Sequence, residues 1–192
     1  MNYKNFATIL ICLVALTFSI NAQNSLPSTS IKTLDGKRVT LQDVIQPGVV
    51  TVISFWATWC APCKKELDAI HDLYPDWQKE YGVELIAIST DDARSSSKIK
   101  PMVVQKGWEY TILNDQNQEL QKALNFQAVP QTFLIDQTGN IVWTHAGYVP
   151  GDENVLETKI KELVSQKLRF HDECKILFPF SYTIFIILLQ TG

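Results

Sequence analysis

The chain is poor in the residues that hold metals and nucleic acids. Its three histidines, His71, His145 and His171, show no paired metal-ligand spacing, and only four cysteines are present. A four-ligand zinc site is therefore not expected, and no cofactor is expected either. No run of basic residues and no interleaving of basic with aromatic side chains occurs, and the formal net charge is −3. Nucleic acid is accordingly not an expected partner. Internal repeats and low-complexity segments are absent as well. The longest apolar stretches, residues 6–20 and 176–189, both fall short of the ~20 residues a helix needs to cross a bilayer.

The first of those stretches comes after Met1-Asn2-Tyr3-Lys4 and ends at Asn21-Ala22-Gln23. One positive charge, a short apolar core and a small residue before a polar segment predict a secretory signal peptide over 1–23, cleaved near Ala22 or Gln23. The alternative is an uncleaved N-terminal anchor, and either one would export the domain that comes after it. Cys12 lies inside the apolar core, and bulky Ile11 before it argues against a lipoprotein. Removing 1–23 takes away Lys4 alone among charged residues, moving the net charge to −4. Residues 24–30 read as a leader, and the remainder is about the size of one domain.

Two thiols stand out against this background, in Trp59-Cys60-Ala61-Pro62-Cys63. The apolar run Val49 to Trp56 precedes them and a helical pattern, KKELDAI, comes after, so the pair is predicted at a strand-to-helix junction. A helix N-terminus stabilises a thiolate and lowers its pKa below ~8.5. That makes Cys60 the candidate nucleophile and Cys63 the thiol that resolves its mixed disulfide. Pro62 suits a first helical turn, where a missing N–H costs no hydrogen bond. A purely structural bridge closing so short a loop would remove little unfolded-state entropy.

The remaining pattern predicts a hairpin of Ile31–Leu34 and Arg38–Leu41 around Asp35-Gly36, and a strand Val49–Trp56. A helix from about Cys60 to Tyr81 and a strand Val83–Ser89 come next. A helix over Ala93–Lys106 should be kinked or split by Pro101. A strand near Tyr110–Leu113, a helix near Gln118–Leu124, strands Gln131–Ile135 and Ile141–His145 joined at Asp136 to Asn140, and a helix Glu153–Leu168 complete the domain. Strands alternating with helices indicate an α/β fold whose central mixed sheet carries helices on both faces.

The segments SFWATWCAPCKKE, ISTDD, AVPQTFLIDQTGNIV and HAGY, in this order, resemble the thioredoxin superfamily, most closely the exported thiol-disulfide oxidoreductases of the TlpA and ResA kind. The resemblance covers about 31–168. It implies a thioredoxin-like fold with an N-terminal hairpin extension, Cys60 as nucleophile and Cys63 as resolving thiol of a redox-active disulfide. It maps the family's cis proline to Pro130, with Val129 offering backbone groups to a substrate chain and Trp59 on the exposed rim. With Pro62 these form the expected substrate-binding set. The local sequence alone allows Pro130 to be a simple strand-entry proline. The resemblance further implies protein thiols and disulfides as substrates, a membrane thiol-transfer protein as electron donor, a location in the periplasm or cell envelope, and a part in cell redox homeostasis or cytochrome c maturation.

Glu66 has two readings. It shares a helix face with Cys63 and, by the resemblance, helps to manage active-site protons. It is equally an ordinary exposed acid in a first helical turn, favoured by the dipole. Cytosolic thioredoxins carry a buried aspartate six residues before the first cysteine, where this chain has Ser54, which cannot accept a proton at ordinary pH. Lys64 and Lys65 read as a solvated face. Residues 169–192, with Cys174 and the apolar run broken by Pro179, read as an atypical tail: an interfacial membrane anchor, a docking strand, or a segment of accidental origin. The competing functions are a thiol peroxidase, whose Pro-x-x-x-Thr-x-x-Cys signature is replaced at Ile53 and Ala57, and a redox-inactive or metal-carrying module.

Overall fold

The computed structural model describes residues 26–177, with side chains as far as Gln166. The expected signal peptide over 1–23, Cys12, the start of the leader and the apolar run after Leu177 lie outside the described residues. Seven strands form one sheet: β1 (Ile31–Thr33), β2 (Arg38–Val39), β3 (Thr51–Trp56), β4 (Glu84–Ser89), β5 (Thr111–Asn114), β6 (Gln131–Ile135) and β7 (Ile141–Ala146). Their spatial order is β2-β1-β5-β4-β3-β6-β7. Strand β3 pairs parallel with β4 and antiparallel with β6, so the sheet is mixed. The chain fills it with α1 (Leu41–Val44), α2 (Ala61–Tyr81), α3 (Ile99–Lys106), α4 (Glu119–Ala123) and α5 (Asp152–Leu177).

Side chains alternate across a strand, and β3 shows what each face receives. Val52 and Trp56 join one core with Leu67, Ile70 and Trp77 of α2 and Leu156 and Ile160 of α5. Ile53 and Phe55 join the other with Leu41 of α1, Leu120 of α4, Phe126 and Phe133. All six residues of β3 are buried, as expected of a strand covered on both sides.

Several predicted bounds shift. Thr40 caps a short helix where the second hairpin strand was expected to run on to Leu41, because Asp43 takes up the Thr40 N–H at 2.7 Å. The hairpin itself forms, with Ile31 opposite Val39. Pro101 does not break α3. The interruption comes earlier, as a 3-10 turn over Ser96–Lys98, and Pro101 sits in the first turn, where its missing N–H has no intrahelical acceptor to lose. Pro75 lies inside α2 and removes the N–H that would bond the His71 carbonyl, yet the helix continues to Tyr81 and closes on left-handed Gly82. Helix α5 extends nine residues past the expected end, as far as Leu177.

Candidate active site

Strand β3 ends at Trp56, and Ala57 to Trp59 turn the chain into α2. Cys60 is the N-cap, with extended backbone, and its Sγ accepts the Cys63 N–H at 3.2 Å. An N-cap serine or threonine oxygen would occupy the same place, so the sulfur receives one of the donors every helix start leaves over. Ala61 and Pro62 fill the first two helical positions. Cys63 stands at the third and is bonded to Cys60, with Cα atoms 5.4 Å apart. Both cysteines are buried, Cys60 at 4% exposure and Cys63 at 0%. The bonded pair thus presents only an edge of Cys60 to a partner.

The turn that carries Cys60 is held from below by Asp91. Its carboxylate accepts the Thr58 N–H at 2.8 Å, the Thr58 hydroxyl at 2.7 Å and the Ser89 hydroxyl at 2.7 Å. The Lys64 ammonium donates to the Thr58 carbonyl at 3.1 Å, so Lys64 is not merely a solvated residue as its sequence context suggested. Trp59, fixed between these anchors, leaves its indole 70% exposed beside the disulfide. Across from it the Val129-Pro130 bond is cis. The Val129 carbonyl lies 3.8 Å from the Cys60 Sγ, and the Pro130 carbonyl accepts the Gly147 N–H at 2.9 Å. Cys60, Cys63, Trp59, Pro62, Val129 and Pro130 therefore meet at one end of the sheet.

Glu66 departs from one of its two expectations. It is neither exposed nor in the first turn: α2 begins at Ala61, and Glu66, one turn further on, is only 4% exposed. Its carboxylate turns inward over the sheet and accepts the Thr132 hydroxyl at 2.6 Å and the Ser54 hydroxyl at 3.1 Å. Ser54 and Thr132 face each other across β3 and β6. Burial raises the Glu66 pKa from the usual carboxylate range to about 7, against the opposing pull of those two hydroxyl donors and of His145. Ser54 thus does not stand in for a buried aspartate; it helps hold a carboxylate that α2 brings to the same strand.

Asp91, Thr132 and the pairing role of Ser54 escaped the sequence reading. The available signal was the period-two alternation, which puts Ser54 between Val52 and Trp56 and Thr132 next to Leu134 on one sheet face. A polar residue at such a position must find a partner. Among the described residues no group of three or more His, Cys, Asp or Glu is placed to hold a metal ion, and no helix is long and apolar enough to cross a membrane.

With this geometry in hand, residues 22–144 match the model of the AhpC/TSA family. The chain belongs to that family. Like other AhpC/TSA proteins it has a thioredoxin-like fold: a thioredoxin-like protein from Porphyromonas gingivalis, solved in solution, is 42% identical, with a TM-score of 0.67 over 76% of this chain and 95% of that one. The chain is also 35% identical, over 116 residues, to the thiol-disulfide oxidoreductase ResA of Bacillus thuringiensis, and 28% identical, over 144 residues, to the ResA of Geobacillus thermodenitrificans. These matches cover 60% and 69% of this chain, and 64% and 80% of the two relatives.

Proposed function

We propose that this AhpC/TSA protein is an exported thiol-disulfide oxidoreductase that exchanges the Cys60–Cys63 disulfide with protein thiols, acting as a reductase outside the cytoplasm. The observation that carries the reading is the Cys60 sulfur, set as the N-cap of α2 and facing the Val129 carbonyl. In the reduced protein the Cys60 thiolate attacks a substrate disulfide, forming an intermolecular S–S bond and releasing one substrate sulfur as thiolate. Cys63 then gives up its proton and attacks Cys60 Sγ, closing the intramolecular bond and releasing the second substrate sulfur. Two electrons pass to the substrate, and both its sulfurs end as thiols once protonated. Glu66, one turn from Cys63 and with a pKa near neutrality, is suited to take the Cys63 proton. Trp59 and the Val129 and Pro130 backbone supply the edge on which an extended substrate chain would lie.

The names of the ResA relatives support this reaction class. Cytochrome c maturation and a membrane thiol-transfer protein as donor go beyond those names and belong to the same proposal. Export rests on the charge, apolar core and small residue of 1–23, and membrane association of the tail on the run 176–189. A thiol peroxidase, the other chemistry its family name suggests, is disfavoured because Ile53 and Ala57, both buried and apolar, stand where that signature has proline and threonine.

A Cys63→Ala variant tests the proposal. Incubated with a disulfide-containing protein, it should accumulate a mixed disulfide through Cys60, which mass spectrometry of the joined peptides identifies. Consumption of hydrogen peroxide at a comparable rate, with no mixed disulfide, would overturn the reading.

A further inference from the structure

A proton delivered to Glu66 is buried and must leave before the next cycle. The sheet places one candidate carrier beside it. Ser54 of β3 faces Thr132 of β6, and Thr132 in turn faces His145 of β7. Residues opposite one another in antiparallel strands share a sheet face, with Cβ atoms about 4.5–5.5 Å apart. Glu66 accepts hydrogen bonds from the first two members of this row, and His145 is the third.

Between them lies a cavity of about 10 Å³, whose polar lining is Glu66, Thr132, His145, Tyr148, Asp152 and Glu153. That volume admits about one water, and the lining offers the two to four polar partners such a water needs. On the far side His145 Nε2 is 3.0 Å from Asp152 Oδ2. Trp143 stacks on the ring with centroids 5.5 Å apart, fixing its plane. The His145 side chain keeps 33% of its surface exposed, so it reaches both the cavity and solvent.

We infer that His145, oriented by Asp152 and joined to Glu66 through one water in this cavity, is the route by which the Glu66 proton reaches solvent. The inference rests on Glu66 as the acceptor of the Cys63 proton. With Nε2 hydrogen-bonded to Asp152, Nδ1 is the nitrogen left over to take a proton from the water. The carboxyl O–H of Glu66 breaks, the water passes the proton on, an N–H forms at Nδ1 of His145, and the Nε2–H on the far side of the ring breaks, releasing its proton past Asp152 to solvent. The sequence runs backward when the disulfide is reduced. Imidazole suits this task because one ring nitrogen can accept a proton while the other gives one up.

The other groups facing Glu66 serve less well. Tyr148 donates its hydroxyl to Glu153 at 3.0 Å, and burial together with that carboxylate pushes its pKa up to about 12. Glu153 also accepts the Gly151 N–H at 3.0 Å, so it is committed to shaping the start of α5. Tyr110, on the β5 side, is buried, and its pKa is raised by that burial and by the nearby charges of Asp68 and Glu66. Asp152 is held ionised by the Val149 N–H and by His145.

The test is the single-turnover rate at which Cys63 resolves a preformed mixed disulfide on Cys60, measured against pH. His145→Ala should slow resolution about tenfold near neutral pH, a modest share of the 10²–10⁴ that proton transfer can contribute. Added imidazole should restore the rate to within about twofold, and the initial attack by Cys60 should not change. Asp152→Asn should give a smaller loss, about threefold, by loosening the ring. Should the alanine variant fail to fold, His145→Gln keeps a hydrogen-bonding side chain at the position and should be equally slow, without rescue. Unchanged resolution in His145→Ala, or slowing that imidazole does not relieve, overturns the relay. Glu66→Gln, run in parallel, separates the two claims: if it is slow while His145→Ala is normal, only the relay fails, and if Glu66→Gln resolves normally, the role of Glu66 itself falls.

Discussion

The two faces of the sheet divide the labour of this molecule. The face under α1 and α4 is mainly hydrocarbon: Ile53, Phe55, Ile86, Ile88, Phe126 and Phe133 pack there, the Phe55 and Phe126 rings stand 4.7 Å apart, and buried Thr51 is a polar exception. The face under α2 and α5 also carries a core, but into it are set both thiols, Glu66, Ser54, Thr132 and His145. Successive residues of one strand supply both faces. Ser54 contacts the carboxylate while its neighbours Ile53 and Phe55 are sealed in oil. A titrating group is kept buried on one side while the mainly apolar packing of the other side holds the same strands together.

That contrast can be broken from either side. Cys60→Ser removes the proposed nucleophile and should abolish disulfide exchange, lowering the rate by several orders of magnitude in a turbidity or fluorescence assay with a protein disulfide. Its fold should persist, as far-UV circular dichroism would verify. Phe55→Ala on the hydrocarbon face should do the reverse. Its loss of packing should cost about 3–5 kcal/mol in denaturant melts, while the pH dependence of thiol alkylation in the surviving native protein stays that of the parent.

Glu66→Gln sharpens the comparison through pH. The folded protein holds the Glu66 proton to about pH 7, whereas the unfolded chain releases it near 4.5. Between those values the native state binds more protons than the unfolded one, so this group makes stability fall as pH rises. The parent should lose a few kcal/mol across that window, at about 1.4 kcal/mol per pKa unit. In Glu66→Gln the slope should disappear, with urea midpoints at a series of pH values as the measurement. The smallest effect belongs to Trp59→Ala, whose exposed indole should change stability by less than ~0.5 kcal/mol. Exchange with protein substrates should nevertheless slow more than exchange with a small thiol.

The same division governs how much the sequence disclosed. The buried strands and the covering of the sheet on both faces were legible because apolar runs report burial directly, and WCAPC reported the junction of β3 with α2, whereas the spatial order of the strands was not. Glu66 was harder: a glutamate after two lysines on a helix looks solvated, and only the fold reveals that α2 rolls this residue inward over two hydroxyls on neighbouring strands. Asp91 was visible as part of ISTDD, but its hold on Thr58 spans 33 residues of chain, a distance no local pattern encodes. Pro101 misled for a related reason. The rule that proline breaks helices applies to interiors, and the sequence did not show that the helix starts only two residues before it.

The claim on which the account turns is that Cys60 and Cys63 form a redox pair in which only Cys60 attacks. The most direct test is to compare Cys63→Ala and Cys60→Ala after each is mixed with the same protein disulfide near neutral pH, counting mixed disulfides by mass spectrometry. The account predicts rapid adduct formation through Cys60 in the first variant and little or none through fully buried Cys63 in the second. Equal adduct formation by both variants, or none by either, would contradict it.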